Sequence, residues 1–600
     1  MPLKSRFVHP DSDLEFMYFP SRRSVVHSSK GIVSSTQPLA SNCGLRVLQQ
    51  GVAAGLNMTE PGSTGIGGDM FCLFYEAKTK KVHAMNGSGR APSNITCERV
   101  RKDLGITEGS PGKIPLTSAH AVTVPGAAAG WVDVVEKFGS GKLTMEQILT
   151  PAIELGEQGF PVSEIMADKW EHSEKALRQA SPNFAEMLKK DPNAKDGVRA
   201  PRPGEIMKNP TLANTFRLVA KHGKSGFYTG TVAEELVKVV QSLGGLITLD
   251  DLAQHMELGT EETQAVSINF TGQGIKDSHG QQMHEKSSKG IDLWEHPPNG
   301  QGIVALMALG MLEILEDQGK VKKFTKDDHN SADYIHAIVE VLRIAFADAN
   351  WWVADPNVSK VPVKELVSKQ YLTERAKLFD PKKASPLLDH GSPAHNHSDT
   401  VYFAVTDSEG NGVSFIISNY AGFGTSIIPK GCGFTLQNRG SNFELGPEDH
   451  PNILAPNKRP YHTIIPAIIT NAADQSLHSV YGVMGGFMQP QGHVQVLLNM
   501  LVFEHTPQAA LDAPRICIGA GTPDQGDVAD RVVYLEEGIS QKVADELRDM
   551  GHTVEIVDGL GRALFGRGQV IRYHVDEVEG VGVWSAGSDP RGDGAAVPWM

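Results

Sequence analysis

One residue in this chain has a type and a setting that suit covalent catalysis. Thr400 stands in His397-Ser398-Asp399-Thr400-Val401-Tyr402-Phe403-Ala404-Val405-Thr406-Asp407 and opens a β-type run. Ser408-Glu409-Gly410-Asn411-Gly412 supplies turn formers, and Val413-Ser414-Phe415-Ile416-Ile417 is a second β-rich run, so 400–417 reads as a hairpin. Residues 389–397, just upstream, are polar, rich in breakers and without periodicity. A threonine that opens a strand is commonly only a β-branched strand former. The chemical alternative is specific: a threonine hydroxyl needs a base beside it, and an N-terminal threonine carries one in its own α-amine. That amine titrates near pH 7.7–8.0 in unperturbed peptides, about where a general base is wanted. Such an enzyme must first cut its own chain, here between Asp399 and Thr400.

The elements that would position Thr400 are legible from pattern. Gly31-Ile32-Val33-Ser34-Ser35 reads as a strand, with a helix after it that takes Ser41 as N-cap before Leu45, Val47 and Leu48. Gly62-Ser63-Thr64-Gly65-Ile66-Gly67-Gly68-Asp69-Met70 is a glycine-dense loop; it lacks a GK[ST] ending and so is not a phosphate cradle. Phe71-Cys72-Leu73-Phe74-Tyr75 and Lys81-Val82-His83-Ala84-Met85 read as a strand pair. Helical periodicity runs through 124–162, 232–243, 303–315 and most strongly 332–349, where Ile335, Ile338, Val341, Leu342 and Phe346 share a face. Residues 264–292 read as a solvated polar insertion, with His279 and His284 exposed rather than metal-binding. After Thr400 strands dominate, with helices near 493–502 and 541–550, and no internal repeat is visible. Strand-rich and helix-rich blocks from both halves imply helices packed outside a pair of central sheets.

Composition narrows the function class. The length prior alone would suggest roughly four domains. A hydrophobic content of 40% and a charged content of 21% belong to a globular chain with a large core. A formal net charge of −14 and the lack of a basic stripe argue against nucleic acid as partner. No run of eighteen apolar residues is present, so no membrane partner is expected. The first 23 residues carry Asp11, Asp13 and Glu15 and no apolar core, unlike a secretory signal, which points to an intracellular, cytoplasmic enzyme. Cys43, Cys72, Cys97, Cys432 and Cys517 are odd in number and scattered, as free, mostly buried thiols are. No cofactor motif, metal motif or Gly-x-Ser-x-Gly elbow appears.

Asp399-Thr400-Val401-Tyr402-Phe403, with Asp407 and Gly410-Asn411, resembles the processing site of the γ-glutamyltranspeptidase family of N-terminal-nucleophile hydrolases. Pro298-Asn299-Gly300-Gln301-Gly302, Phe423-Gly424-Thr425, Asn457-Lys458-Arg459-Pro460, Gly485-Gly486 and Ser588-Asp589-Pro590-Arg591 agree and fall in family order, from about residue 24 to the C-terminus. The resemblance implies a four-layer αββα sandwich, built as one globular unit from two interwoven chains, 1–399 and 400–600. It also implies a small-molecule amide substrate and no cofactor. Residues 49–57 are shorter by roughly ten residues than the family's alanine-rich helix, nearly three turns that neighbouring side chains must refill.

By the same resemblance Thr400 is nucleophile and base, Gly485 and Gly486 form the oxyanion hole, and Ser418 takes the place of a hydroxyl that bonds near the new α-amine. A plain turn for the glycines and a strand end for Ser418 remain the alternatives. The ligand-reading positions depart from the γ-glutamyl enzymes. Their carboxylate-binding arginine falls at Ser88, two residues before Arg90. Their ammonium-binding asparagine, glutamine and aspartate fall at Tyr420, Arg439 and Asn442, and their paired serines at His462 and Thr463. Arg439 places a cation where an ammonium needs an acceptor. Gly89-Arg90-Ala91-Pro92, Gln437-Asn438-Arg439-Gly440 and Tyr461-His462-Thr463 look more like the acylase-like branch, which includes cephalosporin-acylase and oxamate-amidohydrolase types. Arg90 and Arg439 are then candidates for a carboxylate fork, with structural salt bridges as the alternative. The expectation is an autoprocessed threonine amidohydrolase acting on a small acyl amide that bears a carboxylate. A glutathione hydrolase or γ-glutamyltransferase, and an unprocessed scaffold, are the other two readings.

Overall fold

The computed structural model describes residues 3–4, 23–47, 50–107, 112–272, 290–385, 398–519 and 532–599. Two sheets carry the fold. The first runs in the order Glu261–Thr263, Lys81–Gly87, Asp69–Glu76, Gly412–Ala421, Ser398–Thr406, Ile32–Ser35 and Ala595–Pro598, antiparallel throughout. The second runs Val266–Phe270, Ile291–Glu295, Ala467–Asn471, Leu477–Met484, Arg567–Val575, Gly582–Ser588 and Val26–Ser28, with Leu3–Lys4 added parallel to Arg567–Val575.

Strand periodicity of two decides what each sheet faces. Along the Thr400 hairpin, Val401, Phe403, Val405, Phe415 and Ile417 point into a core shared with the helices. Tyr402, Ala404 and Ile416 point the other way, into a second core with Ile468, Val480 and Ile571 of the opposite sheet. On that sheet's far face Leu293, Ile469, Val483 and Val570 pack beneath the helices Ile303–Asp317, Ala332–Trp352 and Met488–Leu501. Three stacked cores make four layers, αββα. Each fully buried Phe, Val or Ile in them contributes about 1.5–3 kcal/mol. The two sheets approach closely where the Tyr402 ring lies on Gly482; a Cβ there would come within 2.6 Å of the ring. Strands from before and after residue 400 lie side by side, as where Asp69–Glu76 pairs with Gly412–Ala421.

Local departures from the sequence reading have simple causes. The first helix spans Pro38–Val47, so Ser41 lies within it rather than capping it. Pro38 is suited to a first helical position, and Ser41 is buried, bonded to Ser35 Oγ at 2.8 Å and to the Ala595 carbonyl at 3.1 Å. Residues 124–162 form two helices, Ala127–Phe138 and Met145–Gln158, the second started by a capping box of Thr144 and Gln147. The shortened stretch forms a helix, Gln50–Thr59, packed on the first one. Glycines let the two meet: a Cβ on Gly55 would lie 2.9 Å from Ala40 Cα. The ends of the polar insertion are ordered as the paired strands Val266–Phe270 and Ile291–Glu295. His279, His284 and residues 389–397 lie outside the described residues. No disulfide joins any two of the five cysteines, and four of them are buried. No described helix is long and apolar enough to cross a membrane.

Candidate active site

Thr400 lies on a β-bulge. Asp399 pairs with Tyr420 and Val401 with Ile417, so the register shifts at the threonine. Bulges re-aim a side chain. The Thr400 hydroxyl, fully buried, donates to Ser418 Oγ at 3.0 Å. Ser418 Oγ also accepts the Tyr420 N–H at 2.8 Å. Ser418 in turn stands opposite Asp69 on the neighbouring strand. Thr400, Ser418 and Asp69 therefore lie across three adjacent strands of one sheet, at the polar end of the layer between the sheets.

Tyr420 has a φ of 77°, an unusual backbone for an aromatic residue. Its ring carries the Arg439 guanidinium at 4.4 Å, a cation–π contact. Arg439 belongs to the short 3-10 turn Arg439–Asn442 and is completely buried. Its Nη1 donates to Thr463 Oγ1 at 2.7 Å. Its Nε and Nη2 have no partner among the described residues. Burial lowers its pKa to about 10, against the pull of Asp69 and Tyr420, and burial pushes the Tyr420 phenol up to about 12. The guanidinium is therefore charged at neutral pH, with two unmade donors.

Gln301 links this cation to the glycine pair. Its Nε2 donates to the Thr463 carbonyl at 2.6 Å and to the Gly486 carbonyl at 2.9 Å. Gly485 and Gly486 adopt φ of 131° and 57° between the strand Leu477–Met484 and the helix Met488–Leu501. Among the described residues neither glycine N–H donates to another backbone group. Amides just ahead of a helix are suited to developing negative charge.

Behind these groups His462 Nε2 donates to Asp69 Oδ2 at 3.0 Å, while its Nδ1 accepts from the Ile464 N–H at 3.4 Å. This pattern assigns the proton to Nε2. Burial, then the charge of Arg439, holds His462 far below the ordinary histidine range, so the contact joins a neutral ring to a carboxyl. Asp69 Oδ1 accepts from Gly89 N at 2.9 Å, Gly126 N at 3.0 Å and Gln437 Nε2 at 2.9 Å. Burial raises the Asp69 pKa; Arg439 and these donors pull against it.

The structure brings Thr400, Ser418, Tyr420, Arg439, Thr463, His462, Gly485 and Gly486 into one connected network. Asn442 is beside it, its Nδ2 donating to the Tyr461 carbonyl at 3.1 Å. Arg90 is elsewhere: its side chain lines a cleft with Asp251, Gln254, His255 and Asn457, and it shares no partner with Arg439 among the described residues. Ser88 is buried and structural, accepting Arg459 Nε on its carbonyl at 3.1 Å and Asn299 Nδ2 on its hydroxyl at 3.1 Å. Asp69 and Gln301 lay within stretches that sequence reading singled out, yet their roles were missed. A carboxylate at the mouth of an apolar strand was the available signal for Asp69.

A γ-glutamyltranspeptidase family model matches residues 40–599. A glutathione hydrolase-like proenzyme of Bacillus subtilis is 33% identical over 588 residues, covering 95% of this chain and 99% of its own length. An oxamate amidohydrolase proenzyme of Klebsiella pneumoniae is 30% identical, covering 95% and 98%. The crystal structure of a cephalosporin acylase from Bacillus halodurans superposes with a TM-score of 0.80 at 34% identity, covering 98% of this chain and 99% of that one. The chain belongs to the γ-glutamyltranspeptidase family of N-terminal-nucleophile amide hydrolases and acyltransferases.

Proposed function

We propose that the protein is a self-cleaving threonine amidohydrolase for small acyl amides that carry a carboxylate. The observation that carries this reading is Arg439: a buried, charged guanidinium with two nitrogens unpartnered among the described residues, one side chain away from the Ser418 that holds the Thr400 hydroxyl. A guanidinium with two adjacent free donors matches a planar carboxylate. The oxamate named for the Klebsiella relative has its carboxylate bonded directly to its amide carbon, the compact kind of substrate such a site would take.

In the precursor, Thr400 Oγ attacks the carbonyl carbon of residue 399, the Asp399–Thr400 C–N bond breaks, and water hydrolyses the ester. Chains 1–399 and 400–600 result, and the interleaved strands keep them hydrogen-bonded. The freed α-amine then takes the Thr400 hydroxyl proton as Oγ attacks the substrate amide. The Gly485 and Gly486 amides stabilise the oxyanion, the amine leaves with that proton, and water resolves the acyl-enzyme. Arg439 binds the carboxylate, Tyr420 and Thr463 hold Arg439, and His462 and Asn442 set the wall. The γ-glutamyl alternative draws on the name of the Bacillus subtilis relative. It has to seat a substrate ammonium beside Arg439, which costs rather than contributes.

The test is intact mass with N-terminal sequencing of the purified protein. Two chains, the smaller beginning Thr-Val-Tyr-Phe, are expected, and Thr400→Ala should leave one. A wild-type chain that stays whole for days, or a Thr400→Ala chain that still cuts, rejects the reading.

A further inference from the structure

Glycine has the widest backbone freedom of any residue, so the Gly485-Gly486 pair needs a holder if its amides are to keep one direction. In the trans Gly485–Gly486 peptide the Gly485 carbonyl accepts Met488 N at 2.9 Å, at the start of the helix Met488–Leu501. The Gly486 N–H of the same plane therefore points away from that helix. The next plane is held at the Gly486 carbonyl, by Gln489 N at 3.3 Å and by Gln301 Nε2 at 2.9 Å. Among the described residues no other side chain bonds to either glycine.

Gln301 is itself fixed at every polar atom, and it is fully buried. Nε2 divides its two hydrogens between the Thr463 carbonyl at 2.6 Å and the Gly486 carbonyl, and Oε1 accepts the Tyr461 hydroxyl at 3.0 Å. Carbonyls only accept, which assigns the nitrogen end of the amide. Burial pushes the Tyr461 phenol well up, so it keeps its proton. The Gln301 backbone N–H donates to the His462 carbonyl at 3.1 Å, and the Asn299 carbonyl accepts His462 N at 2.8 Å. The loop ahead of the helix Ile303–Asp317 is thereby locked to residues 461–463. Thr463 is also the residue whose hydroxyl takes Arg439 Nη1 at 2.7 Å. One amide thus joins the turn that carries the glycine pair to the residue that anchors the guanidinium.

We propose that Gln301 is a positioning residue for the acyl transfer. It holds the Gly485-Gly486 turn so that its amides face the developing oxyanion, at a fixed place relative to Arg439. The proposal rests on the amidohydrolase reading above. Because Gln301 acts through the glycines, its loss falls on the chemical step rather than on substrate binding. A reacting group misplaced by about 1 Å costs about 10²-fold in rate.

The test is Gln301→Met, which keeps the volume and removes both donors. Tyr461→Phe is a milder second variant that takes away only the partner of Oε1. Amine release is followed on protein shown by mass to be cut, with one carboxylate-bearing and one neutral acyl amide. Gln301→Met should lower kcat about 10- to 10²-fold on both amides, with KM within about threefold of the original. Tyr461→Phe should lower kcat about two- to tenfold in the same sense, and it covers the case in which Gln301→Met misfolds or stays uncut. Hydrogen exchange of residues 482–488, read by mass spectrometry, should quicken in both variants while the helix Ala332–Trp352 is unchanged. An unaltered kcat, a loss confined to KM, or unaltered exchange at 482–488 overturns the proposal. So does a loss confined to the carboxylate-bearing amide, which would put Gln301 in the service of Arg439 alone. A wild-type protein inert on both amides, with exchange that still quickens in the variants, refutes the amidohydrolase reading and leaves the hold of Gln301 on the glycine turn standing.

Discussion

Replacing Arg439 by methionine separates what the residue does for the fold from what it does for a substrate. The folded protein loses the bond to Thr463 Oγ1 at 2.7 Å, a charge-assisted one of about 1.5–3 kcal/mol, and the Tyr420 contact at about 0.5–2 kcal/mol. It also sheds two buried donors, Nε and Nη2, that make no bond among the described residues, each costing about 1–3 kcal/mol. Methionine fills similar volume without a charge, so the losses and gains nearly cancel. The unfolding midpoint should move by no more than about 1 kcal/mol in either direction, as is common when a buried charge gives way to an apolar side chain. Catalysis should not be spared. A carboxylate left in the site without its partner costs about 3–5 kcal/mol, so kcat/KM for a carboxylate-bearing amide should fall by about 10²–10⁴. A neutral acyl amide of the same size should change less than about threefold by the same reasoning. Ammonia release from both substrates, on protein shown by mass to be processed, is the assay. Equal losses on both substrates, or no loss on either, would refute the assignment of Arg439. Arg439→Gln restores an acceptor and should raise turnover of a γ-glutamyl anilide; no change there removes the argument against γ-glutamyl substrates.

Ser418→Ala takes the acceptor from the Thr400 hydroxyl and the Tyr420 N–H. It should slow self-cleavage and cost about 1–3 kcal/mol of stability, read by timed mass spectra and urea melts. Gly485→Ala forces a side chain onto a φ of 131° with its Cβ 3.1 Å from Gly566 Cα. A displaced oxyanion donor should lower kcat about 10²–10³-fold with KM little changed; an unaltered kcat removes the glycines from the chemistry. Burial holds His255 and His505 near pKa 3 and His296 and His329 near 4, so the unfolded chain binds more protons below about pH 6.5. Their stability contribution is whole above that pH and is lost as pH falls toward those values, about 2 kcal/mol per ring at pH 5. Asp69 and Glu295, raised by burial, act in the opposite sense and offset part of it. The urea midpoint should drop from pH 7 to pH 5; a rise would contradict the sign.

Much of this fold was legible because strand periodicity is local. Alternation along 400–417 alone separates Val401, Phe403 and Val405 from Tyr402 and Ala404, and the structure sends these sets into different cores. The long helix read over 332–349 is Ala332–Trp352, for the same reason. Ser41 misled because a serine before an apolar run looks like a cap, while its real partners, Ser35 and Ala595, include one more than 500 residues away. Arg90 and Arg439 looked like one fork because both are arginines in family stretches. Spacing carries no information about the turn that sends one guanidinium toward Tyr420 and the other toward His255.

By itself the sequence made legible the strands, the amphipathic helices, the family stretches and Thr400 as the candidate nucleophile. Each of these is written in neighbouring residues. Only the tertiary structure decided that Asp69 would gather Gly89, Gly126, Gln437 and His462 around one buried carboxyl. It likewise decided that Gln301 would bridge Thr463 to Gly486, and that Arg439 would be left charged with two donors unpartnered among the described residues. Burial and charge pairing are properties of what converges in space, and these partners converge from segments hundreds of residues apart.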